Sequence, residues 1–206
     1  PADFVSAALF SAGDEVVALA PRGAGDPDAG QGSEDAVADL EIVAYRSRDG
    51  ETWSEEGVVS GLDLTGDEFV SGGAGDADTL VLVGADFVEA SSSGPGGRAP
   101  LALTSPDGVV WGRVADDELA ALREVSAVTV DVDRSGFLAV GEGTEATPQL
   151  VATDDGASWD AVDATGLEVA DGSETVLALG ASADAYLAFG LSECDGCSDD
   201  AVAVAW

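Results

Sequence analysis

Ser47-Arg48-Asp49-Gly50-Glu51-Thr52-Trp53 is answered further along the chain by Ser105-Pro106-Asp107-Gly108-Val109-Val110-Trp111 and by Thr153-Asp154-Asp155-Gly156-Ala157-Ser158-Trp159. The shared pattern is Ser/Thr-x-Asp-Gly-x-x-Trp, and each copy follows an apolar, strand-like run. The copies recur at intervals of about 50 residues, a period that signals a repeat architecture. The residue types specify a local structure. An Asp carboxylate accepts hydrogen bonds from the amides of its own tight turn. Gly supplies the positive φ that the turn needs. Trp buries a large ring just inside the next strand. Each copy therefore predicts a stapled β-hairpin corner.

Outward from the motifs, the apolar runs are short, rich in Val, Ala and Leu, and bounded by Gly, Asp and Ser. That is strand grammar without a helical period. The first copy reads as strands over 4–10, 15–20, 40–46 and 53–59. The second reads as 69–75, 79–84, 100–104 and 111–114. The third reads as 125–130, 137–141, 149–152 and 159–162. The fourth has 175–180, 185–189 and 201–206 and no motif. Four strands in about 50 residues is the layout of a β-propeller blade. The expectation is one all-β domain over 1–206, a β-propeller of four-stranded antiparallel blades with approximate bounds 1–60, 61–115, 116–163 and 164–206. About four blades are present, the last one incomplete. The fourth copy lacks its motif and last strand, and a bare incomplete ring would expose strand edges, so a segment of a larger propeller is expected; the alternative is a ring closed through residues 1–10.

Charge is the second signal. Seven basic residues face 41 acidic ones, a formal net charge of −34. All seven are arginines: Arg22, Arg46, Arg48, Arg98, Arg113, Arg123 and Arg134. Such a surface repels phosphate backbones and anionic lipid, which argues against nucleic acid as a partner. No apolar run approaches the roughly 18 residues of a membrane helix. A saline habitat and a compositional bias of the coding sequence both account for the acidity. Cys194 and Cys197 sit in a Gly/Asp/Ser loop in a chain without His. A small loop-closing disulfide is expected, which favours an extracytoplasmic setting; free thiols and metal ligation are the alternatives.

The motif resembles the Asp box, or BNR repeat, of sialidase-like propellers, in a form with one residue fewer between Asp and Gly. It is similar to variants in secreted bacterial or archaeal propellers. The resemblance implies a structural motif at the turn between the third and fourth strands of a blade, facing away from the ligand side. On that basis Asp49, Asp107 and Asp155 are corner staples, with Gly50, Gly108 and Gly156 beside them. Ser47, Ser105 and Thr153 help cap the turns, and Trp53, Trp111 and Trp159 pack between blades. Function is then expected on the opposite rim, in the acidic loops 21–39, 86–99, 142–148 and 193–200, and in 60–68, 115–124 and 163–174.

Catalytic chemistry is thinly supplied. A sialidase needs three converging arginines and a Tyr–Glu pair; here Arg22 and Arg98 are expected in rim loops, and Tyr45 and Tyr186 are not. No Ser/His/Asp arrangement exists without His. Asp131, Asp133, Ser135 and Glu142 fit a calcium loop loosely, but the same place in other copies is a plain hairpin turn. No cofactor is expected, and weak calcium or other cation binding spread over the loops is the alternative to one tight site. The resulting expectation is a non-catalytic extracytoplasmic binding or scaffold module for a protein or glycan at the acidic rim. The alternatives are a sialidase-like glycoside hydrolase with catalytic residues mostly outside this segment, and a self-assembling surface or matrix protein. Because self-repulsion at this charge is relieved by screening, the melting temperature is expected to rise from low salt to about 1 M NaCl, where the Debye length shrinks to about 3 Å. A flat response by scanning calorimetry would refute the screening argument.

Overall fold

The structure, a computed structural model, describes residues 8–23, 40–62, 68–88, 97–131, 136–143, 147–162, 173–181, 186–193 and 202–205. The fold is all-β, a β-propeller built from meandering antiparallel sheets. The first unit holds β1 (Ala8–Ala12), β2 (Glu15–Gly23), β3 (Leu40–Ser47) and β4 (Ser54–Val58). The second holds β5 (Glu68–Gly75), β6 (Leu80–Val88), β7 (Gly97–Ser105) and β8 (Gly112–Arg113). The third holds β9 (Leu122–Asp131), β10 (Gly136–Gly143), β11 (Pro148–Thr153) and β12 (Asp160–Val162). β13 (Ser173–Ala181), β14 (Tyr186–Glu193) and β15 (Val202–Ala205) form a three-stranded sheet. The first two units join into one eight-stranded sheet through a parallel pairing of Ala12 with Gly75, between β1 and β5. β9 packs in turn against β5, β6 and β13, so the first strands of successive units lie side by side.

The apolar runs are explained by this stacking. A strand flanked by sheets on both sides loses its polar alternation. In β6, Leu80 and Leu82 face the first unit, in a cluster with Phe10, Val17 and Leu19. Val81 and Val83 face the third, in a cluster with Val125, Phe137 and Ala139. β10 repeats the arrangement: Phe137 and Ala139 point back, while Leu138 and Val140 point forward to Ala188.

The first strands share an irregularity. Val70 pairs with Gly84 and Gly72 with Val83, which leaves Ser71 as an extra residue. Ser126 and Leu177 are the corresponding extras in β9 and β13. The bulge forces carbonyls across the ladder. A Cβ on Gly84 or Gly141 would fall 1.9 Å from the carbonyl oxygen of Phe69 or Glu124. Ser71 Oγ uses the bulge to reach the next unit, donating to the Val125 carbonyl at 2.6 Å, with Val83 O at 3.1 Å.

Three expectations need correction. Arg22 and Arg98 are not in rim loops but in β2 and β7, because these strands run to Gly23 and begin at Gly97. The segment 115–124 is not a plain polar loop: Asp116–Leu119 forms a 3-10 helix that buries Leu119 beside Val114 and Leu122. Trp53 does not pack between blades. It is 39% exposed, whereas Trp111 is 3% exposed in the cluster with Val17 and Leu19, and Trp159 is buried against Val81 and Val83. Each buried Trp thus seats on the preceding unit, and no described residue covers Trp53 in that way. Truncating Trp111 or Trp159 to Ala is therefore expected to cost roughly 3–5 kcal/mol, and Trp53→Ala under about 1 kcal/mol, as at exposed positions. Equal costs in urea unfolding would refute seating on the preceding unit.

Candidate functional site

The motif turns share one hydrogen-bond pattern. Ser47 Oγ donates to Asp49 Oδ1 (3.1 Å) and accepts from the Gly50 amide (2.8 Å). Asp49 Oδ1 also accepts from the amides of Glu51 (2.9 Å) and Thr52 (2.7 Å), and Trp53 Nε1 donates to the Gly50 carbonyl (3.2 Å). Asp107 accepts from Val109 and Val110 at 2.8 and 2.9 Å, and Asp155 from Ala157 and Ser158 at 2.8 and 3.0 Å. Ser105 and Thr153 donate to these carboxylates, and Trp111 and Trp159 donate to the carbonyls of Gly108 and Gly156. Gly50, Gly108 and Gly156 have φ of 73, 81 and 76°. Amide donors stabilise the charged carboxylate. The Thr52 and Glu51 amides hold the Asp49 pKa down to about 2. Asp107 and Asp155 are lowered chiefly by the amides of Val110 and Ser158. One carboxylate oxygen of each motif is thereby committed to its own turn. A depression of about 500 Å³ lies here on the third unit, lined by Thr153, Asp154, Asp155, Ser158 and Asp160.

The opposite end of the strands carries a different chemistry. There β5 begins with Glu68 and Phe69, β6 ends with Asp86, Phe87 and Val88, and β7 begins with Gly97 and Arg98. β9 begins close by, with Arg123 and Glu124. Phe87 is 45% exposed, its ring 5.7 Å from that of Phe69. The Arg98 guanidinium lies 5.3 Å from the Phe87 centroid and donates to Glu124, bridging two units. Arg113 donates to Asp86 (3.0 Å) and lies 3.9 Å from Glu68 and 3.7 Å from Asp116. Glu68 and Glu124 are buried, unusual for carboxylates, which the nearby guanidinium groups make tolerable. Arg123 pairs with Glu142 at 3.4 Å, and Arg22 with Glu41 and Glu55 at 3.1 and 2.6 Å. Near the motif turns, Arg46 and Arg48 share Glu15. Every described arginine is thus engaged by carboxylates, and no triad of arginines converges among the described residues.

The calcium candidates are not gathered. Asp131 pairs with Gly136 at one end of β10, while Glu142 pairs with Glu124 near the other. Six residues of strand separate them, about 20 Å at the usual rise. Asp133 and Ser135 lie outside the described residues, as do Cys194 and Cys197. Sequence alone does not reveal the cluster of Phe87, Arg98 and Glu124, because Phe87 and Arg98 read as parts of one loop. Their pairing across β6 and β7 is a matter of register.

No family model matches the chain, and no curated protein matches it in sequence. Solved structures do resemble it. A GH32 β-fructofuranosidase from Bombyx mori aligns with a TM-score of 0.52 at 12% identity, over 90% of this chain and 40% of that enzyme. A glycosyl hydrolase from Bacteroides ovatus aligns with a TM-score of 0.49 at 12% identity, over 98% of this chain and 65% of that one. The likeness to the silkworm enzyme is one of fold, and this chain spans well under half of its length.

The motif carboxylates stabilise the folded state above the ordinary Asp pKa. Their contribution is lost as pH falls below the ordinary Asp range, about 4, towards the lowered folded values. Relief of surface repulsion acts in the opposite direction, and a single substitution leaves it almost unchanged. Asp107→Asn is therefore expected to narrow its stability deficit against the wild type across this pH range in urea unfolding. A constant deficit would refute the role of the charged form.

Proposed function

We propose that the chain is the carbohydrate-binding part of an extracytoplasmic Asp-box propeller, taking a neutral glycan at the strand ends opposite the motif turns. The observation that carries this reading is the half-exposed Phe87 ring, backed by Phe69 and flanked by the Arg98–Glu124 ion pair. The apolar C–H face of a sugar ring stacks on such an aromatic surface, while its hydroxyls donate to the Glu124 carboxylate. The excess of acid disfavours an anionic sugar, and the arginines that would recognise one are already paired. No cofactor is required for binding, and cations bound weakly to the acidic surface would act by screening.

A second reading is a glycoside hydrolase that draws further groups from outside this segment. It is favoured by the buried Glu68 and Glu124, which begin neighbouring strands at the same end of the fold. Glycosidases work with two such carboxylates. The fold likeness to glycoside hydrolases is compatible with both readings.

Titration calorimetry with neutral oligosaccharides, fructans and mannans among them, tests the first. Binding is expected, and Phe87→Ala is expected to weaken it about tenfold, or about 1.4 kcal/mol. No heat from any neutral glycan would overturn it. Release of reducing sugar that Glu68→Gln or Glu124→Gln abolishes would favour the second reading.

A further inference from the structure

The repeat defines equivalent positions, and these expose an asymmetry at its two ends. Val16, Leu80 and Phe137 pair with Ser47, Ser105 and Thr153, and so mark the same place in three units. The following residues that face the next unit are Val17 and Leu19, Val81 and Val83, and Leu138 and Val140. The shared bulge extends the equivalence to β14: Phe189 corresponds to Val83 and Val140, and Leu187 to Val81 and Leu138. The six earlier residues are buried, but Leu187 is 45% and Phe189 48% exposed.

The face of the first unit that looks the other way is equally uncovered. Leu9 pairs with Ala18 as Val128 pairs with Ala139. Val128 and Ala139 are buried against the preceding unit, while Leu9 is 66% exposed and Ala18 half-buried. Trp53 belongs to the same face, and its counterparts seat on the preceding unit, Trp111 on Val17 and Leu19 and Trp159 on Val81 and Val83.

We propose that these two faces bind each other between copies of the chain, the Leu9–Trp53 face of one copy seating on the Leu187–Phe189 face of the next. The same pair of surfaces already meets within the chain, where β1–β4 packs on β5–β8 and β5–β8 on β9–β12. Both faces are apolar at these positions, like the faces that meet inside the chain. Because the faces differ, the contact is head-to-tail and generates closed rings or open filaments. The charge of −34 opposes association at low salt, so assembly is expected to strengthen with ionic strength.

Sedimentation velocity of the 206-residue chain in about 1 M NaCl, where the Debye length is about 3 Å, tests this. The wild type is expected to form concentration-dependent oligomers. Leu9→Asp alone and Leu187→Asp with Phe189→Asp alone are each expected to be monomeric. An equimolar mixture of the two variants is expected to form a 1:1 dimer through its one intact pair of faces and to grow no further. Circular dichroism establishes that each variant is folded, and Ser replacements serve where Asp does not fold. A wild type that stays monomeric overturns the proposal, leaving another unit of the same polypeptide or an unrelated protein as the occupant. Folded variants that oligomerise like the wild type, or a mixture that does not dimerise, also overturn it.

Discussion

A sheet of four short strands with apolar residues on both faces cannot bury either face by itself, and the structure follows from that constraint. Each unit is stabilised by the units it packs against, so burial is shared across interfaces rather than gathered into one centre. The contribution is large: a fully buried Val or Leu supplies roughly 1.5–3 kcal/mol, and β6 alone places Leu80, Val81, Leu82 and Val83 at two interfaces. The motif adds direction. Its aspartate closes the corner, and closing the corner aims the tryptophan at the unit before it.

The fold was legible because it is written several times. Spacing of the motifs set the period, and runs such as Phe137–Gly141 could be read as strands from composition alone. Strand ends were less legible. Residues 21–23 and 97–99 look like loop residues, yet pairing with Glu41 and Phe87 extends β2 and β7 across them. The 3-10 helix was hidden because Asp116, Asp117 and Glu118 read as solvent-facing charge, while its purpose rests on Leu119. Trp53 shows the opposite limit. Its motif is indistinguishable in sequence from the others, and only the arrangement of neighbours makes its ring exposed.

The candidate site was less legible still. It depends on which ends of four strands come together, and Phe87, Arg98 and Glu124 are far apart in sequence without forming a motif. Paired arginines are the physical thread. In a chain with so few cations, each described arginine holds a carboxylate from another strand: Arg98 and Glu124 join two units, and Arg46 reaches Glu15 and the Asp107 carbonyl. The cations therefore act as cross-links in an anionic protein.

In the second and third units the outermost strand is the shortest. β5 and β9 have eight and ten residues, whereas β8 and β12 have two and three. Local opening follows the number of hydrogen bonds and buried contacts that must be given up. Amide exchange should therefore proceed radially, fastest at the rim and slowest at the axis, where Ser71 and the bulges tie neighbouring strands. A protease that trims an outer strand would meet an intact interior, so the molecule has a graded resistance to digestion built into its geometry.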